Sequence, residues 1–414
     1  MSANHRFGKG FSAFMTNDGK TKVTRREILK ASLTAGGVAL AGFHEMPLPA
    51  FCEDVKRDGF QGGKYLGRIE FLGEGHIPMD TPMGDGPEGR LYTNLSAITP
   101  ENPITPTEKF YVRTAGSDLL DDRKPWVIKV GGLVSHPAEV SMTELRKISR
   151  PGGLHLMECS GNVRLAHFGM LGVADWTGAL VSDLLASVKI EKGASHISIS
   201  GFNRYPDDSS TPTPGKSWIF TLDELSSSRA FFATEMNGAS LTRDHGAPVR
   251  LFVPGWYGCA CIKWVDEVKL LGENTATTSQ MREYAGRTMQ QGVPELVKDY
   301  RPAIIEQAAM PIRIEKWLVG RRIKYRVTGI AWGGSRPISG LEIRFGSVPN
   351  SSEDFAPVDD FSQPANDPWS FWTHAWTPTK PGTYFIQLRV KDRTIRARRL
   401  DAGYYVRSAE ITEI

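Results

Sequence analysis

Arg243-Asp-His245-Gly246-Ala-Pro-Val249-Arg250-Leu-Phe-Val253-Pro254-Gly255-Trp256-Tyr-Gly258-Cys259-Ala-Cys261-Ile-Lys263-Trp264 is the stretch on which the reading of this chain turns. It sets an imidazole, a guanidinium and an ammonium group along one strand and turn punctuated by glycines. Val249 to Val253 is a short apolar run of the kind that forms a buried strand. Arg250 offers a planar fork, Lys263 a point charge, and His245 a donor whether neutral or protonated. Solvated surface charges are the plain alternative, but Pro254, Gly255, Trp256 and Trp264 imply a partly buried setting, where unpaired cations are expensive. The combination suits a buried organic phosphate.

Upstream lies His155-Leu-Met-Glu158-Cys159-Ser160-Gly161-Asn162-Val163-Arg164. Gly161 and Asn162 give Cys159 a turn in which backbone amides can approach a ligand. A soft, high-valent metal centre takes a thiolate, and a bound cation removes the proton from the thiol outright. A lone Cys is otherwise a small buried hydrophobe.

These two segments, with Glu235-Met-Asn237-Gly238, resemble the sulfite oxidase family of molybdenum enzymes, which carry a single pterin dithiolene cofactor. The resemblance implies that Cys159 binds molybdenum and that Ser160, His245, Arg250 and Lys263 help to hold the molybdopterin. It also places substrate-pocket arginines at Arg113, in Phe110-Tyr-Val-Arg113, and at Arg164, and an active-site tyrosine at Tyr284. The implied reaction is oxygen-atom transfer to sulfite or a related sulfur compound. Departures concern the pocket: Ala115 stands where better-known members have histidine, Val163 where they have arginine, and no lysine matches the one lining the sulfite path of animal enzymes. Each departure is expected to lower the positive charge at the site. Sulfoxide or nitrate reduction is the alternative chemistry, and a cofactor-free scaffold the alternative outside catalysis.

The whole chain has 414 residues and a formal net charge of +4. Residues 1–50 hold seven Lys and Arg against three Asp and Glu, which leaves 43 of each sign in the remainder. A balanced remainder without a glycine-rich phosphate loop argues against nucleic acid or nucleotide as partner. Thr24-Arg25-Arg26-Glu27-Ile-Leu-Lys30, followed by the small apolar run Ala31–Gly42, looks like a twin-arginine export signal. Its apolar core is shorter than the roughly 20 residues of a stable membrane anchor, so the expected location is periplasmic. The chain has four cysteines, too few for a disulfide framework. Cys259 and Cys261 read as buried free thiols side by side on a strand. No Cys-x-x-Cys-His haem motif occurs, so electrons are expected to pass to a separate cytochrome c.

The expected class is α+β: a signal over 1–50, an extended segment over 51–109, a sulfite oxidase-type mixed α/β molybdopterin domain over 110–295, and an immunoglobulin-like β-sandwich over 296–414. Short strands alternate with short helices at Thr143–Arg146, Val181–Val188 and Leu222–Ser226. Beyond residue 313 the pattern turns to strands alone, at Lys324–Trp332, Leu341–Phe345, Ser370–Trp376 and Thr383–Lys391. The motif Thr328-Gly329-Ile-Ala-Trp332 resembles the family's C-terminal domain, which implies a homodimer.

Overall fold

The strands of the described residues form four sheets, and the first contains both Arg250 and the strand that leads into Cys159. The first has strand order Arg250–Phe252, Phe231–Met236, Leu171–Leu180, Arg150–Glu158, all antiparallel, with Ala239–Ser240 added to Phe231–Met236. That last pairing is a hairpin closed by Asn237 and Gly238, both at positive φ, the conformation that favours Asn-Gly. Asn237 Nδ2 also donates to Thr105 O and Thr107 Oγ1, at 3.0 and 3.1 Å. The Glu235–Gly238 motif is therefore structural in its placement.

The second sheet runs Ala138–Ser141, Val127–Gly132, Val265–Leu271, His196–Gly201, Ser217–Thr221, with one parallel pair, Val265–Leu271 against Val127–Gly132. Helices Met142–Lys147 and Leu222–Ser227 start at capping boxes in which Ser141 and Thr221 bond reciprocally with Glu144 and Glu224, satisfying first-turn amides. Helix Val181–Leu185 follows the long central strand directly.

In the computed structural model, residues 59–116, 120–121, 123–202, 216–349, 353–362 and 368–414 are described. The segment read as an export signal and Cys52 lie outside them. Gly59–Ile414 forms one compact unit. Among the described residues no helix is long and apolar enough to cross a membrane.

From residue 308 on, the regular elements among the described residues are strands, apart from the short helix Arg398–Asp401. One antiparallel sheet has the order Lys64–Arg68, Ala308–Val319, Arg322–Trp332, Trp369–Trp376, Asp360–Ser362; the other has Ala356–Pro357, Leu341–Gly346, Gly382–Val390, Arg407–Ile411. Lys64–Arg68 thus leaves its own neighbourhood in sequence to pair with Ala308–Val319. A buried ion pair between Glu74 and Arg407 fastens the same early segment to the last strand, and Leu72 N donates to Ser408 O at 2.7 Å.

Candidate active site

Cys159 follows the strand Arg150–Glu158 and is 6% exposed. Its amide donates to Met170 O at 3.0 Å, and Asn162 N returns to Cys159 O at 2.9 Å, closing a tight turn. Gly161 N donates to the thiol at 3.4 Å. Burial pushes the thiol pKa up, while the Gly161 amide, Arg113 and Arg287 oppose that shift. A cation bound at the sulfur would complete the deprotonation.

The thiol opens onto a cleft of about 640 Å³ that Arg113, His245, Arg250, Lys263 and Tyr284 also line. The chain builds it by folding 243–264 back on itself: Leu251 N donates to Ile262 O, Arg250 bridges to Lys263, and Gly258 N donates to Glu158 O beside Cys159. Gly246 sits at φ +107 with the Cβ positions of both Arg250 and Lys263 at 3.1 Å from where its own Cβ would be. A side chain there would press on both cations. Cys259 and Cys261 line the cleft from turns, with Ala260 N and Cys261 N bonded back to Tyr257 O and Gly258 O. They are free buried thiols, but not on the strand the sequence suggested: the chain turns there, and Gly258 makes room for the Tyr111 hydroxyl, 2.9 Å from where a Cβ would be.

Arg250 donates to His245 O and Cys261 O at 3.1 Å each, and its Nε is buried without a partner. Lys263 Nζ donates to the carbonyls of Thr114 and Asp244. Carbonyls satisfy these hydrogens without neutralising the charge. Among the described residues no ion pair involves Arg113, Lys216, Arg250 or Lys263. Arg250 is buried and the other three are partly buried, and cations withdrawn from water in this way are costly unless an anion joins them. The residues fit a molybdopterin: a thiol for the metal and, across the same cleft, uncompensated cations with an orphaned guanidinium N–H for a phosphate.

His245 uses both ring nitrogens. Nε2 donates to Phe110 O at 3.0 Å, which makes Nδ1 the acceptor from Thr242 Oγ1 at 2.7 Å. Burial takes its pKa down to about 4 against the pull of the Phe110 carbonyl, with Lys263 and Arg250 adding to the fall. A neutral ring with both nitrogens engaged braces the anchor segment; it has no spare donor here for a phosphate.

Lys216 is a cleft residue that sequence reasoning missed. Its ammonium lies 5.0 Å from the Trp264 ring, whose other close cation is Lys263 at 4.5 Å. Burial, then Arg113, Arg250 and Arg90, lowers its pKa to about 7. Arg90 also stands near Arg113, which helps to lower its own pKa after burial. Arg287, on the turn after helix Ser279–Tyr284, stacks 5.2 Å from the Tyr284 ring and acts electrostatically on Cys159. The departures from the family pattern therefore do not leave the site poor in positive charge, because Lys216, Arg90 and Arg287 supply it from other stretches.

Arg164 does not reach this cleft. The turn closed at Asn162 and the bond from Phe168 N to Val163 O send the 3-10 turn Arg164–Ala166 outward, so Arg164 is exposed and lines a separate cavity with Phe385 and Tyr404. Ser160 is buried but does not line the cleft.

Two groups set a pH dependence for the cofactor-free protein. For His245, with a folded pKa of about 4 against an unfolded value near 6.5, the unfolded chain binds more protons between these limits, so stability is lost as pH falls from 6.5 to 4, by about 3 kcal/mol at most. For Lys216, folded at about 7 and unfolded near 10.4, stability rises as pH climbs from 7 toward 10. Urea melts should show both slopes, with His245→Gln flattening the acid one and Lys216→Met the alkaline one.

Comparison with known proteins gives the same picture. Residues 116–279 match the model of an oxidoreductase molybdopterin binding domain. Over 203 residues the chain is 27% identical to sulfite oxidase from Arabidopsis thaliana, covering 44% of this chain and 51% of that protein. Over 287 residues it is 26% identical to an NADPH nitrate reductase from Fusarium oxysporum, covering 60% of this chain and 30% of the relative. The matches thus span about half or less of these relatives. In fold, the chain resembles the crystal structure of the sulfane dehydrogenase SoxCD from Paracoccus pantotrophus, with a TM-score of 0.57 at 17% identity over 91% of this chain and 95% of that one.

Proposed function

We propose, for a chain that belongs to the sulfite oxidase family of molybdopterin-binding oxidoreductases, that its reaction is the oxidation of sulfite or a related sulfur compound, with electrons passed to a separate cytochrome c. The observation that carries the reading is the group formed by buried Arg250 and partly buried Arg113, Lys216 and Lys263, none in an ion pair, around a cleft that Cys159 enters. When bound, the molybdenum cofactor supplies oxygen-atom transfer and storage of two electrons. Cys159 would hold the metal, and Arg250, Lys263 and Lys216 the anionic end of the pterin. Arg113, beside Arg90, would draw and orient an oxyanion substrate.

Burial pushes the Tyr284 phenol up to about 12. It therefore stays protonated at neutral pH and serves as a hydrogen-bond donor rather than a base. A small oxyanion held by Arg113 should lose about 10- to 100-fold in affinity when the charge-assisted bonds go. Accordingly, Arg113→Met should raise the KM for sulfite by that factor with a smaller change in kcat.

Steady-state assays decide the chemistry. Turnover with sulfite and cytochrome c supports the proposal; turnover only with reduced viologen and nitrate or a sulfoxide would replace it with the reductase reading, to which the nitrate reductase relatives give some support. A sulfane group belongs in the same screen, since the fold neighbour is a sulfane dehydrogenase. A protein purified without molybdenum or pterin would leave the scaffold reading. We also read the Thr24–Gly42 segment as directing export to the periplasm, and the strands beyond residue 308 as an immunoglobulin-type homodimer module. Cell fractionation and sedimentation of the purified protein test these two points, a cytoplasmic pool or a monomer counting against them.

A further inference from the structure

The residues flanking Cys159 are gripped from the C-terminal part of the chain. Glu158 is fully buried; its Oε1 accepts from Tyr405 Oη at 2.6 Å and its Oε2 from Trp332 Nε1 at 2.9 Å. Ser160 O accepts from Arg399 Nη2 at 2.7 Å, and Asn162 O accepts from Tyr404 Oη. Residues 158, 160 and 162 are thus each held by a side chain more than 150 residues away in sequence, while the Cys159 side chain lines the cleft.

Arg399 does more than hold one carbonyl. It is 7% exposed in the short helix Arg398–Asp401, and the same Nη2 also donates to Arg287 O at 2.7 Å. Its guanidinium lies 4.7 Å from the Tyr257 ring and 5.1 Å from the Tyr404 ring, and its Nη1 stands 3.9 Å from Glu158 Oε1. One planar group therefore ties the Cys159 turn to the turn that carries Arg287, the residue whose charge acts on the thiol. An ammonium group could reach one carbonyl but has no plane to stack between two rings.

We propose that Arg399 is a positioning residue: it fixes the Cys159 turn against the Arg287 turn and so sets the direction from which the thiolate meets the metal. The proposal rests on the reading of Cys159 as the molybdenum ligand. Neither the cleft nor a substrate is touched by Arg399, so its effect must pass through the geometry of residues 158–162. Outer partners of metal ligands commonly change affinity or activity by 10- to 100-fold when removed.

The test compares purified full-length parent, Arg399→Met and Arg399→Lys. Hydrogen exchange by mass spectrometry should show the amides of 160–163 in Arg399→Met exchanging about tenfold faster or more, with the remote strand Val127–Gly132 unchanged. In loaded protein the Mo(V) paramagnetic resonance spectrum should shift and kcat should fall about 10- to 100-fold with KM nearly constant; Arg399→Lys should lie between. Unchanged exchange at 160–163, or an unchanged spectrum and kcat at equal molybdenum content, overturns the proposal. If Arg399→Met does not fold, Arg399→Lys decides by the same exchange measurement: an ammonium group cannot hold the Ser160 and Arg287 carbonyls from one plane, so faster exchange at 160–163 supports the proposal and parent-like exchange sinks it. A parent without molybdenum would defeat the functional reading alone, since the exchange comparison needs no metal.

Discussion

Cys159→Ser protein is expected to fold, to emerge from purification with little or no molybdenum, and to lose turnover by about a thousandfold or more, the scale on which removal of a central reactive group is felt. The substitution changes one buried atom, and the Gly161 amide can still donate to the new oxygen, so the change in folding stability should stay near 1 kcal/mol. What changes is the ligand. A serine hydroxyl is harder and holds its proton, whereas a thiol gives its proton up to a soft cation. Metal analysis beside a thermal melt separates the two consequences, and a fully loaded, active Cys159→Ser enzyme would remove Cys159 from the site.

Arg250→Met should uncouple stability from cofactor retention. In the unloaded protein Arg250 is 5% exposed and in no ion pair, and its neighbours are the carbonyls of His245 and Cys261, the Met157 sulfur at 3.4 Å and the face of Trp176, 5.6 Å away. Methionine has nearly the same reach and removes the buried charge, although the carbonyls of His245 and Cys261 lose a donor. These effects oppose each other, so the melting temperature of unloaded protein should move by no more than about 2–4 °C, the equivalent of 1 kcal/mol in a domain of 150–250 residues. Cofactor binding should weaken by about a hundredfold, the value of two charge-assisted bonds at the lower end of their range. Pterin fluorescence after denaturation measures retention directly, and full retention in Arg250→Met would show that the phosphate lies elsewhere.

Much of this arrangement was legible because local chemistry and global fold agree. The helix at Thr143–Arg146 begins at a Ser-x-x-Glu box, and the C-terminal strands alternate cleanly between turn residues. Where the reading failed, long-range contacts decide. Pro151, Gly152 and Gly153 carry no strand pattern and drew no reading from the sequence; they belong to the strand Arg150–Glu158, which tolerates them because it is the edge of its sheet and carries a register shift between Pro151 and Gly153. Arg164 sits five positions after Cys159, and only the closure of the intervening turn shows that it faces outward. Nothing around Lys216 forecasts its place, since the neighbouring Trp264 that receives it lies 48 positions later. Arg399 gives no signal for the same reason: its partners are Ser160 and Arg287.

Lys64–Arg68 on the edge of the Ala308–Val319 sheet, and Glu74 against Arg407, bear on how the molecule is made. Both counterparts lie hundreds of residues further along the sequence, so neither early segment can take its native place until they have been made. Front-to-back assembly is therefore ruled out for this region, and loss of Arg407 would strand the Glu74 carboxylate in the interior and spoil an early segment through damage to a remote strand.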